Sequence, residues 1–510
     1  MKHRFWAILP AALAVVCAPA CSGDDGDDNT QTPAKKGSIT GSVKTTAGVA
    51  LDNASIVTDP PTVTVKSDPT GKYLLSDLSA GTYKVVVTRD GYVSKERTGI
   101  TVADGASVTL DFQLEASTVP MGAAKLTVKD LCGTGGLAGA TVAREGGTPA
   151  TTGTDGTVSV GDLAPGKYTF TATANAYLPA SVEVTVTAGG VANAEIPLDC
   201  QTHAAGEEAR KWLATVGTVS PITSATALHD KLNDGDTSND PKVLDVRAAA
   251  DYAKGHVPGA INVGYKAVAD DATLALLGDP TKVKLVDYCY TGHTGGIASA
   301  VLNMLGYSTQ NMKFGIVSWT RDATVRGTIA TPPDLTKNFT VETTARTAPA
   351  TQTLPVLAFA DAKTGRDVVK LAARAYLNNA AMKPTIAAQE LFDNLNDGNT
   401  SNDPFIISVR KPEDYAKGHI PGAINIPWDK TALEANLKMI PTDREIVVYC
   451  YTGHTGAVAT AVLGTLGYHK VRNLKYGMLG WTQDATVRAQ APYNDASDSH
   501  DFAFTTGTAP

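Results

Sequence analysis

Two internal repeats constrain this chain more than any other feature of its sequence. The segment at residues 232–263, "LNDGDTSNDPKVLDVRAAADYAKGHVPGAINV", returns at residues 395–426 as "LNDGNTSNDPFIISVRKPEDYAKGHIPGAINI". The loop "DYCYTGHTG" at 287–295 returns as "VYCYTGHTG" at 448–456. Self-similarity of this kind means that one structural unit is built twice. We predict two domains at residues 205–347 and 366–505, here called the first and second copies, joined by a linker rich in Thr, Ala and Pro at 348–365.

The order of apolar segments predicts the fold of each copy. An apolar strand is followed by a "GHxPGAIN" turn and strand, a helix, a strand that ends at a cysteine, and a further helix. Strands that alternate with helices imply a parallel sheet covered by helices on both faces. The chain as a whole is therefore predicted to be multidomain, with α/β domains in its second half.

A second pair of repeats lies at residues 37–116 and 122–200. "DPTGKYLLSDLSAGTYKVVVTRDGY" in the first segment matches "GTDGTVSVGDLAPGKYTFTATANAY" in the second. Both alternate apolar and polar residues, as half-buried strands do, and place Tyr83 and Tyr168 on the inward side. These stretches resemble the carboxypeptidase regulatory-like (transthyretin-like) domain. That resemblance implies two seven-stranded all-β sandwiches, which act as spacers and carry no catalytic residues.

The amino terminus predicts a targeting segment and a lipid anchor. Residues 1–20 combine a basic start with an apolar stretch too short to span a bilayer comfortably. Ala20-Cys21 resembles a bacterial lipobox, so Cys21 is the predicted lipidation site, and residues 21–36 form an acidic, flexible tether. By resemblance to lipoprotein sorting, Ser22 favours the outer membrane of a Gram-negative cell. The predicted location is thus the cell envelope, as an outer-membrane lipoprotein or in the periplasm; the alternative is a secreted soluble protein.

The remaining composition limits partners and cofactors. The formal net charge is −7 and no basic run stands out, so a nucleic-acid partner is not predicted. None of the six cysteines forms a CxxC pair, and neither a metal nor a cofactor is predicted. Cys132 follows the first predicted strand of the second sandwich and Cys200 ends its last, and the two are expected to form a disulfide in an oxidising compartment. The alternative is two unpaired thiols.

The repeated cysteine loop carries the predicted chemistry. Cys289 and Cys450 end buried-strand patterns, at the sheet edge where ligands of open α/β sheets bind. The short loop "YTGH" then leads to a helix expected to begin at about Thr294 and Thr455. Inward-pointing amides and the positive end of the helix form an anion cradle that stabilises a thiolate. We therefore predict a nucleophilic cysteine, or a sulfur adduct of it, at the centre of each cradle.

These motifs resemble the rhodanese family over both copies. "VLDVR", "DYAKGHVPGAINV", the strand-terminal cysteine and "KYGMLGW" stand where that family has them. The resemblance implies sulfurtransfer by Cys289 and Cys450. A donor such as thiosulfate, polysulfide or a persulfide would supply sulfane sulfur, and cyanide or a thiol would accept it. The predicted substrate-binding loops are Tyr290, Thr291, Gly292, His293 and Thr294 in the first copy and Tyr451, Thr452, Gly453, His454 and Thr455 in the second.

Two positions in each loop depart from the family pattern. Thr294 and Thr455 stand where many rhodaneses carry an arginine that pairs with the anionic donor. Within the loops only His293 and His454 could be cationic, so we expect them to help bind an anionic donor or to steady the thiolate. The alternative is that they are exposed loop residues without a role. Because Gly295 and Gly456 replace the arginine of a C-x5-R phosphate loop, a phosphatase activity is not predicted.

The other repeated residues are expected to be structural. His256 and His419 should fix the "GHxPGA" turn by hydrogen bonding, and Trp319 and Trp481 should be packing anchors. Arg247 and Arg410 are expected to pair with Asp251 and Asp414, respectively.

Two other functions remain open for the same sequence. The rhodanese-like domains could be non-catalytic binding modules of a cell-surface protein, which the sandwiches and the missing loop arginines favour. An activated thiolate could also serve redox sensing through sulfenic acid. The sequence does not identify the donor or acceptor, or whether both cysteines are active.

Overall fold

The computed structural model describes residues 35–327, 335–347, 349–381 and 383–508. The chain divides into two compact units, Met1–Thr118 and Val119–Pro510. The predicted signal segment and the lipidation site Cys21 lie outside the described residues. Within the described ranges, no helix has the length and apolar character that a membrane crossing requires.

The first unit is a β-sandwich. One sheet has the order β4-β1-β7, with β8 also on β1, and the other has the order β3-β2-β5-β6. Because β7 and β8 pair with successive parts of β1, they act as one strand interrupted at residues 110–111. Tyr83 is buried and donates its hydroxyl to the Ser79 carbonyl at 2.9 Å, as expected for an inward position. The strands are β1 (Gly37–Thr45), β2 (Ser55–Asp59), β3 (Val65–Lys66), β4 (Lys72–Leu78), β5 (Gly81–Thr88), β6 (Lys95–Val102), β7 (Ser107–Thr109) and β8 (Phe112–Leu114).

The second sandwich begins the second unit. Its sheets have the orders β11-β10-β13-β14 and β12-β9-β15. The Tyr168 hydroxyl donates to the Ala164 carbonyl at 2.8 Å, which repeats the Tyr83 contact. The structure joins Cys132 to Cys200 by a disulfide bond just before the first helix. The strands are β9 (Gly122–Asp130), β10 (Thr141–Arg144), β11 (Ala150–Thr151), β12 (Thr157–Leu163), β13 (Gly166–Thr173), β14 (Ala180–Val186) and β15 (Val191–Leu198).

The first copy contains a five-stranded parallel sheet of order β16-β20-β19-β17-β18. The cysteine strand β19 is central and buried at four of its five residues, since helices cover both faces. The elements are α1 (Gln201–Leu213), β16 (Ile222–Thr223), α2 (Ala225–Leu232), β17 (Lys242–Asp245), α3 (Ala249–Lys254), β18 (Ile261–Asn262), a 3-10 turn (Tyr265–Ala267), α4 (Asp271–Leu277), β19 (Lys284–Tyr288), α5 (His293–Met304), β20 (Ser308–Met312), α6 (Ile316–Trp319) and α7 (Ala323–Arg326).

The second copy repeats this topology with the order β21-β25-β24-β22-β23, all parallel. The predicted fold class, all-β sandwiches followed by α/β domains, is thus confirmed. The elements are α8 (Gly365–Leu377), β21 (Thr385–Ile386), α9 (Ala388–Leu395), β22 (Phe405–Ser408), α10 (Pro412–Lys417), β23 (Ile424–Asn425), a 3-10 turn (Trp428–Lys430), α11 (Glu434–Leu437), β24 (Ile446–Tyr449), α12 (His454–Thr465), β25 (Val471–Leu474), α13 (Gly477–Trp481), α14 (Ala485–Arg488) and α15 (Asp495–Asp498).

The two copies share one hydrophobic core. Helices α5 and α12 pack against each other and are buried at nearly every residue, as expected of helices that are apolar all round. Ile297 and Val301 of the first copy join Val458 and Val462 of the second in a single cluster. The helices approach closely because residues on the contact are small: a Cβ atom on Gly296 would lie 2.9 Å from that of Ala457.

The copies also exchange their carboxyl-terminal segments. The Trp319 indole of the first copy donates to the Ala503 carbonyl, and the Trp481 indole of the second donates to Thr340, each at 2.9 Å. Isolated β-bridges pair His256 with Thr505 and His419 with Glu342. We call residues 335–344 and 493–505 the exchanged arms. Each arm follows one copy in sequence but packs on the other, so residues 205–347 do not form a self-contained domain.

The predicted linker is held in place. Leu357 and Ala362 are buried in the shared core. Thr202 of α1 donates its hydroxyl to the Pro355 carbonyl at 2.8 Å, and Gln201 donates its side-chain amide to the Phe359 carbonyl at 2.9 Å. The composition, rich in Thr and Pro, predicted that this segment connects the two copies. It could not predict that the segment is bound in place, because these bonds to its backbone come from the distant helix α1 and have no signature in the linker sequence.

Because each arm packs on the copy that it does not follow in sequence, a substitution in an arm should destabilise that packed copy. Phe502 stacks on His229 and lies against Trp319, whereas Phe339 stacks on Phe392 and lies against Trp481. Phe502→Ala should destabilise α2 and α6 by about 2 kcal/mol, since it removes a partly buried ring. Hydrogen exchange measured by mass spectrometry should accelerate in those helices.

The matched variant is Phe339→Ala, for which faster exchange is expected in α9 and α13 of the second copy. If each variant instead loosened only the copy that precedes it in sequence, the exchanged arrangement would be wrong.

Candidate active site

Each candidate nucleophile lies at the carboxyl end of a central strand. Cys289 follows β19 and Cys450 follows β24, and both are buried free thiols. The backbone carbonyls of Cys289 and Cys450 accept hydrogen bonds from the amides of Ile316 and Met478, respectively, each at 2.9 Å. The backbone on either side of each sulfur is therefore fixed by the sheet and by the helix α6 or α13.

A left-handed glycine turns each loop toward its sulfur. Gly292 and Gly453 have φ values of 86° and 87°, and their amides donate to the cysteine sulfurs at 3.1 and 3.0 Å. Helices α5 and α12 begin at the next residue, one position earlier than expected. A side chain at Gly292 is excluded because the positive φ strongly favours glycine. It is also excluded because its Cβ atom would lie 2.5 Å from the His454 ring. The amide and the helix end favour negative charge on sulfur.

The loop tyrosines anchor the loops to the preceding helices. The Tyr290 hydroxyl donates to the Asp251 carboxylate at 2.6 Å, and the Tyr451 hydroxyl donates to Asp414 at 2.7 Å. Burial and the neighbouring Asp251 carboxylate raise the pKa of Tyr290 to about 12, so its hydroxyl keeps its proton. These predicted substrate-binding residues line the cavity wall and also position the loop.

The predicted pairing of Arg247 with Asp251 is wrong, as is that of Arg410 with Asp414. Arg247 is buried and pairs with Asp245 at 2.6 Å, leaving Asp251 to bind Tyr290 and Lys254. Since Ser408 replaces Asp245, Arg410 bonds instead to the Ser408 hydroxyl and to the carbonyls of Gly418 and Val487. The prediction failed because each arginine bonds to the side chain of the strand residue two positions before it, Asp245 or Ser408.

The loop histidines are not cations, which corrects the prediction that they bind an anionic donor by charge. His293 and His454 are buried, at 2% and 1% exposure. Burial, assisted by the charge of Lys475, lowers the pKa of His293 to about 3. Burial and neighbouring positive charge likewise hold the pKa of His454 well below its ordinary value. Both imidazoles are therefore neutral at physiological pH.

The same histidines bind the two copies together. His293 Nε2 accepts the Tyr476 amide of the second copy at 3.0 Å, and His454 Nε2 accepts the Phe314 amide of the first copy at 3.0 Å. Each ring must then carry its proton on Nδ1, which lies 2.9 Å from the Thr291 or Thr452 hydroxyl. The two rings stack with centroids 5.7 Å apart. The two cysteine loops thus contact each other through their histidines at the interface between the copies.

A cavity opens beside each loop. The first, of about 480 Å³, is lined by Cys289, Tyr290, Thr291, His293 and Thr294. The second, of about 540 Å³, is lined by Tyr451, Thr452, His454 and Thr455. Four of the five predicted loop residues of each copy thus line one cavity, and Cys289 lines the first cavity, whereas Cys450 is not among the residues that line the second.

Sequence reasoning missed the residues that enter each cavity from the other copy. Lys475 and Tyr476 line the first cavity, and Lys313 lines the second. The repeat could have suggested these residues, because "MKF" and "LKY" stand immediately before the "Gly-x-x-x-Trp" segment in the first and second copies. Their location depends on how the copies pack, which no local pattern encodes.

The predicted structural histidines and tryptophans behave as expected. His256 and His419 stack on Tyr252 and Tyr415, and their Nδ1 atoms lie 2.9 and 3.0 Å from the carbonyls of those tyrosines. Trp319 and Trp481 are both 1% exposed. The prediction that these residues are structural is confirmed.

The fold and the loop define a class of α/β protein with a buried free cysteine in a strand-to-helix cradle. A family model described as a rhodanese-like domain matches residues 224–322 and 387–484. Another, described as a carboxypeptidase regulatory-like domain, matches residues 38–115 and 125–199.

Two similar proteins are named sulfurtransferases. A sulfurtransferase of Allochromatium vinosum is 32% identical over 83 residues, which cover 16% of this chain and 76% of that protein. The human thiosulfate:glutathione sulfurtransferase is 32% identical over 114 residues, covering 20% of this chain and 94% of that protein. The solved structure of a rhodanese-like domain protein from Staphylococcus aureus is 26% identical in sequence and has a TM-score of 0.18. The match covers 20% of this chain and 94% of that chain.

The chain belongs to the rhodanese-like family, with two copies of the domain preceded by two carboxypeptidase regulatory-like domains. The family and its sulfurtransferase members support a sulfurtransferase-type function for the α/β copies.

The neutral histidines predict that stability is lost on mild acidification. The pKa of His293 is about 3 in the fold, against about 6.5 in an unfolded chain. Below pH 6.5 the unfolded state therefore binds more protons, and stability falls by up to about 1.4 kcal/mol per pH unit for each such histidine. His293→Gln keeps an acceptor near the Nε2 position and cannot be protonated, so it should flatten the decline between pH 7 and 5.

The measurement is urea unfolding followed by tryptophan fluorescence, with the exposed His469→Gln as the matched control. An unchanged pH dependence in His293→Gln would contradict the neutral, interface-forming role.

Proposed function

We propose that this protein transfers sulfane sulfur through persulfides of Cys289 and Cys450. The observation that carries the proposal is the repeated cradle, in which each sulfur accepts a glycine amide at 3.1 or 3.0 Å at the start of a helix. Such a site stabilises negative charge on a thiolate and, one atom further out, on a persulfide. The relatives named sulfurtransferase support the same reaction class.

The reaction would proceed by double displacement. The cysteine thiolate attacks the sulfane sulfur of the donor; the new sulfur–sulfur bond forms as the donor's bond breaks, and the electron pair leaves with the donor remnant. A thiol or cyanide acceptor then attacks the outer sulfur and releases the cysteine thiolate. No electrons are gained or lost overall, so neither a redox partner nor a metal is required.

Both loops are complete, so we expect both cysteines to react. With thiosulfate, polysulfide or glutathione persulfide as donor, the wild-type protein should gain one sulfur at each cysteine. Cys289→Ser and Cys450→Ser should each gain one sulfur in total and keep about half of the turnover, and the double variant should have none. Mass spectrometry of the intact protein and of its peptides makes the measurement. The sulfurtransferase proposal fails if neither cysteine gains sulfur from any of these donors.

We further propose that the protein is held in the cell envelope by lipid on Cys21. The disulfide between Cys132 and Cys200 supports an oxidising compartment. Multiple acylation anchors a protein firmly, whereas loss of the acceptor cysteine removes the anchor. Cys21→Ser should therefore move the protein from the membrane fraction to the soluble fraction of fractionated Gram-negative cells. Wild-type protein that is already soluble would contradict the anchor.

A further inference from the structure

The first cavity contains positive charge that does not come from its own loop. Thr294 stands where many rhodaneses carry an arginine, and His293 is neutral. Arg247 lines the cavity, but its charge is balanced by Asp245 at 2.6 Å. The remaining cations of the lining are Lys266 of the first copy and Lys475 of the second. Among the described residues that line this cavity, none is a carboxylate.

The fold holds Lys475 at this cavity through its neighbour. Lys475 and Tyr476 form the turn between β25 and α13 of the second copy. The Tyr476 amide donates to His293 Nε2 of the first copy, which ties the turn to the first loop. The charge of Lys475 acts on buried His293, as the lowered pKa of that histidine reflects after the larger effect of burial.

The second cavity repeats the lysine turn of the opposite copy, but Arg410, whose hydrogen-bond partners are neutral, and Lys411 of its own copy also line it. Lys313 and Phe314 of the first copy form the turn between β20 and α6, and the Phe314 amide donates to His454 Nε2. Lys313 lines the cavity beside Thr455 and Thr452. The cavity also contains Asp429, whose carboxylate pairs with Lys430 at 3.1 Å.

Both lysines are available to bind an anion, and the Lys313 ammonium also lies 5.0 Å from the centroid of the Phe314 ring. Lys475 is exposed and Lys313 is half-buried. Across the described ranges of the chain, neither ammonium group forms an ion pair, whereas Lys254 and Lys417 near the same loops pair with Asp251 and Asp414. An unpaired ammonium at the wall of a partly enclosed cavity attracts anions more strongly than one on open surface.

We propose that each active site is completed by a lysine of the opposite copy, Lys475 for Cys289 and Lys313 for Cys450, which binds the anionic group of the sulfur donor. This inference rests on the proposed sulfurtransfer at the same cysteines. With thiosulfate, the lysine would hold the sulfonate oxygens while the thiolate takes the outer sulfur and sulfite leaves with the electron pair. The lysine would thus replace the missing loop arginine as a point charge, without bidentate geometry.

The two completed sites differ at the residue next to each lysine. The Tyr476 hydroxyl bonds with Thr291, and burial, together with the neighbouring Cys289, raises the pKa of Tyr476 to about 12. Phe314 occupies the equivalent place beside His454 and has no hydroxyl. The Cys289 site therefore has one more hydrogen-bond donor for an anion than the Cys450 site.

Alkylation with a charged and an uncharged reagent tests the lysines without any sulfur transfer. Iodoacetate and iodoacetamide attach the same two-carbon chain to a thiolate and release iodide, but only iodoacetate carries a carboxylate. The full-length reduced protein is treated with each reagent, and the rate at each cysteine is followed by peptide mass spectrometry. The readout is the ratio of the iodoacetate rate to the iodoacetamide rate.

Lys475→Gln should lower this ratio about three- to tenfold at Cys289 and leave it within about twofold at Cys450. Lys313→Gln should do the opposite. Lys475→Arg and Lys313→Arg should restore the ratio, and added salt should reduce all differences by screening. Lys470→Gln, an exposed lysine that lines neither cavity, is the matched control.

The outcomes separate this inference from the sulfurtransferase proposal. The contribution from the opposite copy is overturned if Lys475→Gln leaves the ratio at Cys289 unchanged. It is also overturned if that variant changes the ratio at Cys450, which belongs to the same copy as Lys475, instead of at Cys289. A ratio that changes as expected, in a protein whose cysteines never gain sulfur, retains the anion site and rejects sulfurtransfer. If both hold, the thiosulfate concentration for half-maximal persulfide formation at Cys289 should rise by a similar factor in Lys475→Gln.

Discussion

The hydrogen bonds between each loop histidine and the backbone of the opposite copy are the contacts on which the α/β half depends. His293 accepts from Tyr476 and His454 accepts from Phe314, and both imidazoles are buried between the loops. A buried acceptor must be neutral and must have a partner, since an unpaired or charged ring there would cost several kcal/mol. The cradle of one cysteine is therefore built against the turn that carries the lysine of the other copy.

This contact is one of several that make the two copies depend on each other. Helices α5 and α12 share a core, and the exchanged arms cover each copy with residues from beyond the other. A single copy would expose the apolar face of its helix and the groove beside its tryptophan. The two copies are thus one folding unit with two cavities, whereas the first sandwich forms a compact unit of its own.

Duplication has not left the two sites identical. Asp245 balances Arg247, but Ser408 leaves Arg410 with neutral partners, and Tyr476 faces one loop where Phe314 faces the other. Each difference is one substitution at equivalent positions of the repeat. Because each changes charge or a hydrogen bond within the cavity wall, the sites should differ in donor preference rather than in the nucleophile itself.

The sequence by itself determined the repeats, the alternation of strands and helices, and the position of each cysteine at a strand end. These follow from local periodicity and from glycine in a tight turn, which neighbouring residues encode. The charge state of His293, the partner of Arg247, the crossing of the arms and the placement of Lys475 were decided only by tertiary structure. Each depends on burial or contact between residues distant in sequence: a histidine in a short polar loop looks exposed until a second copy covers it.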